Sequence, residues 1–314
     1  MSLRTPVVFI IFNRPETTEK VFKEIAKVKP QKLLVIADGP RKDHPSDIER
    51  CKAARAVINQ VDWDCEVLKN YADSNLGPKR RFSSGLDWVF NQVEEAIILE
   101  DDCLPHPSFF RFCEELLERY RHDERVAVIY GTNFLHRWGP YSYFFSRYPQ
   151  GWGYATWRRF WKHYDADLKE WPKLRDSGWL EKVIGERGAP LEYRRRVFDA
   201  VYQGLDTFEF QVTFAAWRTN SLFIIPKVNL VSNIGFGVGA THTRRRWHKF
   251  ANLKRQAMDF PLSHPPHVSR DVKADKLIAR YQYTPFRPFL IRATLFLAYR
   301  IRRWFYEQFK LKSL

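Results

Sequence analysis

The sequence predicts an α/β fold built on a doubly wound mixed sheet, and two observations carry that prediction. Short apolar runs alternate with longer segments of helical spacing through the first 130 residues or so, as in consecutive βαβ units. One of those runs, Ala96-Ile97-Ile98-Leu99, breaks into three consecutive carboxylates, Glu100-Asp101-Asp102. A buried parallel strand would show this pattern where it emerges at the end at which open α/β sheets place their ligands. A length of 314 residues with 45% hydrophobic content suffices for one large α/β domain or two intimately packed ones.

In chain order, Val7 to Phe12 is the first strand, because Asn13-Arg14-Pro15 stands where a signal peptide would need small residues. Thr17 to Val28 has helical spacing, with Val21, Phe22, Ile25 and Val28 on one face. Leu33 to Ala37 is the second strand, closing on Asp38-Gly39-Pro40, and strand, helix and strand in that order imply a right-handed parallel crossover. Lys42 to Gln60 supplies a charged connection and a helix, Cys65 to Leu68 a short strand, and Phe82 to Val93 a helix leading into the acidic strand. Pro107 to Tyr120 is predicted helical and Val126 to Tyr130 a strand. The stretch from Trp138 to Trp161, dense in Trp, Tyr, Phe and Gly, is expected to be a loop that shapes a cleft. Phe223 to Pro226 and Asn229 to Val231 read as late strands before the glycine-rich Gly235 to Gly239, and Pro261 to Pro266 as a linker to a basic tail.

Composition narrows the function classes. Aromatic content is 16%, with 11 Trp and 25 Phe, so rings are available to stack on sugars and bases as well as to fill a core. Cys51, Cys65, Cys103 and Cys113 lack CxxC spacing, which points away from a zinc site or a disulfide framework and toward reduced cytosol. Arg292 and Arg300 interrupt the best apolar stretch, so no membrane-spanning helix is expected. The net charge of +16 keeps anionic lipid, nucleic acid and anionic substrates open as partners. Much of it lies in residues 287–312, where seven Lys and Arg interleave with Phe, Leu and Trp. That pattern suits either the surface of an anionic membrane or a docked helix with its arginines in water.

Three carboxylates crowded at one strand end repel one another unless a cation sits among them. Magnesium and manganese are hard ions that favour carboxylate oxygens and bridge to substrate phosphates, and a solvated acidic loop is the alternative. Asp38, ending the second strand, reaches the same rim and either accepts hydrogen bonds from a ribose or base edge or makes a turn with Gly39. Arg14, after the first strand, offers a planar fork to phosphate. Asn75-Leu76-Gly77-Pro78-Lys79-Arg80-Arg81 opens a helix with three cations at its amino end, an arrangement that attracts a diphosphate. Neither GxxxxGK[ST] nor a GxGxxG after the first strand is present, so ATP hydrolysis and dinucleotide redox chemistry lose support.

In order and spacing, these residues resemble the GT-A nucleotide-sugar glycosyltransferases, in particular the inverting N-acetylglucosaminyltransferase I type, over most of residues 6 to 243. The resemblance implies that Arg14, Asp38, Arg81, Glu100 and Asp101 contact the nucleotide sugar and that Asp102 is the direct ligand of a divalent metal, Mn2+ or Mg2+. It places Trp152 and Gly153, within Tyr148-Pro149-Gln150-Gly151-Trp152-Gly153, beneath the sugar and acceptor. Thr207-Phe208-Glu209-Phe210-Gln211 stands where the family carries its catalytic carboxylate, usually Asp. Here that residue is Glu209, with Asp206 as the alternative. His242 is implied as a metal ligand or phosphate donor, and Arg244, Arg245 and Arg246 as cations for the departing nucleotide.

The implied organisation is a nucleotide-sugar-binding half over 1–135, a catalytic and acceptor half over 136–262, and a linker with a basic amphipathic helical tail over 263–314. The implied reaction is metal-assisted transfer of a sugar, from a UDP-sugar, to a hydroxyl of a glycan or lipid-linked acceptor, with inversion. It would proceed in the cytoplasm, with the protein peripheral on the inner face of the membrane. Two alternatives stand beside it. A sugar-phosphate nucleotidyltransferase would share the sheet, but Phe12-Asn13-Arg14-Pro15 lacks its glycine-rich first loop. A non-catalytic basic module on membrane or nucleic acid would show a steep salt dependence, and the clustered acids argue against nucleic acid.

Overall fold

The computed structural model describes residues 2–185, 188–236 and 250–283, and of 281–283 the backbone alone. Its elements follow the predicted alternation: β1 (Val7–Ile11), α1 (Pro15–Val28), β2 (Lys32–Ala37), α2 (Ser46–Ala56), β3 (Glu66–Tyr71), α3 (Pro78–Gln92), β4 (Glu95–Glu100), β5 (Cys103–Pro105), α4 (Ser108–Arg119) and β6 (Val126–Tyr130). The second half continues with β7 (Tyr143–Ser146), β8 (Tyr154–Trp157), α5 (Arg158–Trp161), α6 (Trp171–Leu174), α7 (Trp179–Ile184), α8 (Ala189–Tyr202), α9 (Glu209–Arg218), β9 (Leu222–Pro226), β10 (Val231–Asn233) and α10 (Val272–Tyr283). Proline stands in the first turn of both α1 and α3, where its missing N–H costs nothing.

Eight strands form one sheet in the order β3-β2-β1-β4-β8-β6-β9-β7. The first four are parallel, β8 runs antiparallel between β4 and β6, β9 is parallel to β6, and β7 closes the far edge antiparallel. Alternation along β1 and β4 divides the core in two. Val8 and Ile98 face α3 through Leu86, Val89 and Phe90, whereas Val7, Phe9, Ile97 and Leu99 face α1 and α4 through Phe22, Ile25, Phe112 and Leu116. Helices thus cover both faces, and the expected doubly wound mixed sheet is what the chain forms.

Two segments differ from expectation. The aromatic stretch 138–161 is not a loop throughout: it contains β7 and β8, whose residues are all buried. A strand buried on both faces shows no alternation of apolar and polar residues, so its rings read as cleft lining when they fill the core. The region after residue 263 also begins inside the fold. Helix α10 is tied to β7 by the buried Asp275, which accepts hydrogen bonds from Ser146 Oγ (2.6 Å), the Arg147 amide (3.2 Å) and Arg270 Nε. The basic cluster 287–312 lies outside the described residues. Among the described residues no helix is long and apolar enough to cross a membrane.

Candidate functional site

The chain winds outward from β1 to β3 and then returns to β1's other side with β4, so the sheet reverses direction between β1 and β4. Crevices at such a reversal, outside the carboxyl ends of the strands, are where open α/β sheets hold ligands. A cleft of about 170 Å³ lies there. Its walls are Phe12 and Arg14 after β1, Asp38 and Arg41 after β2, Glu100 and Asp101 at β4, Asn75, Pro78, Arg81 and Phe82 around the start of α3, and Phe208 before α9. Phe82 and Phe208 stack with centroids 3.7 Å apart, joining the two halves of the chain across the cleft.

The cation that the acidic triplet demands is supplied, at least in part, by Arg14. Its guanidinium lies 2.5 Å from Asp101 Oδ1 and 2.9 Å from Asp102 Oδ2. Asp101 Oδ2 accepts the Phe12 amide at 3.1 Å, so this buried carboxylate is held on both oxygens. Burial pushes the Asp101 carboxyl up to about 6, against the pull of Arg14. Burial, then the charges of Asp102 and Glu209, hold Glu100 well above the ordinary carboxylate range. Burial alone would lower Arg14, but Asp101 and Asp102 more than offset it and raise its pKa.

Among the described residues no three His, Cys, Asp or Glu side chains converge as a ready metal cage. The arrangement fits an ion of the other kind, held by one or two carboxylates while substrate phosphates and water complete its shell. Of the two aspartates Asp102 would be the carboxylate for it, since its side chain is 12% exposed and that of Asp101 only 3%.

Of the two readings its position allowed, Asp38 makes the turn with Gly39 and extends it to the 75–77 loop. Its Oδ1 accepts the amides of Gly39 and Leu76 (both 2.9 Å), and its Oδ2 accepts the Gly77 amide (3.2 Å) and Asn75 Nδ2 (3.0 Å). The four acceptor positions of this buried carboxylate are therefore used in pinning the 75–77 loop to the end of β2. Gly39 permits the approach, because a Cβ there would lie 2.5 Å from the Ser74 backbone. Arg81, 6% exposed, donates from Nη2 to the Asn70 carbonyl and side chain, while its buried Nε has no partner. Burial lowers its pKa. An unsatisfied guanidinium nitrogen in a cleft wall is costly unless a ligand satisfies it.

Arg41 stands just ahead of the charged connection that begins at Lys42 and belongs to no motif of the sequence. It lies over the Phe12 ring (5.5 Å) and is clamped by Asp47, which takes Arg41 Nε at 2.6 Å and Nη2 at 3.0 Å and also Asn13 Nδ2 at 2.7 Å. Hydrogen bonding from Arg41 holds the Asp47 carboxyl down to about 2. A depressed pKa stabilises the fold above the unfolded value near 4, and that contribution is lost as pH falls through 2. With Arg41 half-exposed, screening leaves roughly 1–2 kcal/mol. Denaturant titrations of wild type and Asp47→Asn should differ by that amount at pH 7 and converge between pH 4 and 2; a gap independent of pH would contradict the assignment.

The remaining candidates lie around this cleft. Gly235 rests on the Arg14–Asp102 pair, since a Cβ there would meet Asp102 Oδ2 at 2.1 Å and Arg14 Nη1 at 2.6 Å. Gly235→Ala is expected to separate Asp102 Oδ2 from Arg14 Nη1 beyond hydrogen-bonding distance in a crystal structure of the variant; an intact pair would contradict this. Trp152 packs edge-on against Phe134 and Phe236, and a Cβ on Gly153 (φ +60°) would meet Val231 and Leu99. Neither lines the 170 Å³ cleft. Glu209 opens α9, beside the cleft residue Phe208, with its charge acting on Glu100. Asp206 instead accepts the Lys79 amide (2.9 Å) in the first turn of α3. His242 and Arg244 to Arg246 lie outside the described residues.

No protein-family model matches the chain, and no curated protein matches it. Solved structures that superpose on it include UDP-glucose pyrophosphorylase complexed with UDP-glucose (TM-score 0.38, 8% identity, covering 73% of this chain and 92% of that one). Another is S. aureus TarS 1–349 (TM-score 0.41, 12% identity, 73% and 59%). A third is the inositol-1-phosphate CTP transferase from T. maritima (TM-score 0.31, 10% identity, 51% and 74%). At such scores these likenesses carry no functional weight.

Proposed function

We propose that this protein transfers a sugar from a nucleoside diphosphate donor, a UDP-sugar, to an acceptor hydroxyl with inversion, as a glycosyltransferase of the N-acetylglucosaminyltransferase I type. The observation that carries this reading is one cleft at the sheet reversal that combines a buried, unsatisfied Arg81 with an Arg14-bridged pair of aspartates. With a divalent ion on Asp102, such a cleft would complement a ligand bearing both acceptor groups and strong negative charge. Arg14 is the cation placed to meet the diphosphate, and Phe12 and Phe208, the partly exposed rings of the cleft wall, are the candidates to pack on a base or sugar. A divalent ion held by Asp102 would, when bound, neutralise the diphosphate leaving group.

Glu209 is the base in this reading. It takes the proton from the acceptor hydroxyl while that oxygen bonds to the anomeric carbon and the carbon–oxygen bond to phosphate breaks on the opposite face. Asp206, which accepts the Lys79 amide at the start of α3, is the alternative base. A glycan or lipid-linked acceptor and contact of residues 287–312 with an anionic membrane on the cytoplasmic side complete the proposal.

The test is product analysis with UDP-glucose, UDP-galactose and UDP-N-acetylglucosamine, each with Mn2+ and a panel of hydroxyl acceptors. Release of UDP with a new glycoside of inverted configuration supports the reading. Production of UDP-sugar and pyrophosphate from UTP and a sugar phosphate would replace it with nucleotidyl transfer, and inertness toward every donor would overturn it.

A further inference from the structure

Among the described residues strand β3 ends the eight-stranded sheet and pairs only with β2. The Glu66 and Ala72 amides donate to the Gln31 and Ala37 carbonyls. By the alternation of a parallel ladder, Glu66, Leu68 and Asn70 turn their backbone groups to β2, and Val67, Lys69 and Tyr71 turn theirs outward. Helix α2 lies over the sheet face that carries Lys69 and Tyr71, and between helix and edge runs a groove of about 520 Å³. This groove is separate from the nucleotide cleft and owes nothing to the proposed reaction.

Its chemistry is specific. Lys52 and Arg55 of α2 and Lys69 of β3 line it, against the single acid Asp73. Ile48, 59% exposed, forms its apolar rim. The Tyr71 hydroxyl is buried without a hydrogen-bond partner. Arg55 is fixed in place over the Tyr71 ring (4.9 Å) by bonds to the Asp38 and Ala72 carbonyls (3.0 and 2.6 Å). A helix beside an open strand edge is the geometry in which an extended peptide adds as a further strand, with backbone bonds giving affinity and alternate side chains entering the groove.

We propose that the α2–β3 groove docks an extended acidic segment of a partner protein, which pairs with β3 as a ninth strand. Side chains two apart would set a carboxylate against Lys52 and Lys69 and an apolar group against Ile48. A second copy of this chain is the poorer occupant: each carries a net charge of +16, and a lysine in the middle of an edge strand disfavours pairing with its own kind.

The probe is the blocked peptide Glu-Thr-Val-Thr-Glu-Thr, with Lys-Thr-Val-Thr-Lys-Thr as its counterpart, titrated into the full chain and read by amide hydrogen exchange and calorimetry. The acidic peptide should bind and slow exchange at Val67, Lys69 and Tyr71 at least about tenfold, while the lysine peptide does neither. Lys69→Pro removes an outward N–H without touching the β2 ladder, so it should abolish binding while the melting temperature holds. The double variant Lys52→Glu, Lys69→Glu should exchange the preference and bind the lysine peptide, a result that misfolding cannot mimic. Equal binding of both peptides, no binding of either, or unchanged exchange at those three amides would overturn the proposal. So would a concentration-dependent dimer that Lys69→Pro dissolves.

Discussion

Glu209→Gln is expected to lower the turnover of sugar transfer by about two to four orders of magnitude while donor affinity changes less than about twofold. The amide keeps nearly the same shape at the first position of α9 but cannot accept the acceptor's proton. In the proposed reading Glu209, next to the cleft residue Phe208 and acting electrostatically on Glu100, serves the acceptor hydroxyl and not the nucleotide. Asp206→Asn is the discriminating comparison. Because Asp206 Oδ1 accepts the Lys79 amide in the first turn of α3, an Asn keeps that acceptor, so stability should change by less than about 1 kcal/mol and turnover should stay within a few-fold. Steady-state kinetics on both variants, with donor affinity measured separately, decides the matter. A large loss of turnover in Asp206→Asn with Glu209→Gln active would reverse the roles.

The second large effect is on stability. Asp38→Ala leaves four donors facing a void: the amides of Gly39, Leu76 and Gly77, and Asn75 Nδ2. Removing one partner from a buried, charge-assisted network costs about 3–5 kcal/mol. At roughly 2–4 °C per kcal/mol for a domain of this size or a little smaller, the melting temperature should fall by about 6–20 °C. Asp38→Asn should recover only part of this, because its amide nitrogen turns a donor toward donors. If Asp38→Ala melts within about 2 °C of wild type and only loses nucleotide affinity, Asp38 is a ligand group and not the staple described here.

Much of this architecture was legible in the chain because local signals suffice for it. The runs Val7 to Ile11, Leu33 to Ala37 and Ala96 to Leu99 are apolar and short, and each became a parallel strand. The abrupt change to Glu100-Asp101-Asp102 located the cleft because acids at a buried strand's end have few other places to be. The electrostatic need for a cation there was also legible. Its source was not, since Arg14 meets the acids only through the pairing of β1 with β4, in which Ile10 faces Glu100.

What stayed hidden depends on contacts distant in sequence. Asp38 is saturated by groups 37 to 39 positions later, and nothing local distinguishes that from a free carboxylate at a strand end. Arg41 belongs to a charged segment that reads as solvated until Asp47 and Phe12 are seen around it. Strands β7 and β8 were hidden for the opposite reason: aromatic residues serve a buried core and a sugar-binding surface equally well, and composition alone does not separate the two.

Isothermal titration of UDP with Mn2+ into wild type, Arg81→Met and Asp102→Asn tests the central claim most directly. Saturable binding to wild type, weakened at least about tenfold by each substitution and reported by amide shifts at Phe12, Asn75 and Phe208, is the predicted result. Binding of equal strength in all three proteins, or shifts confined to residues away from the β1–β4 reversal, would contradict it.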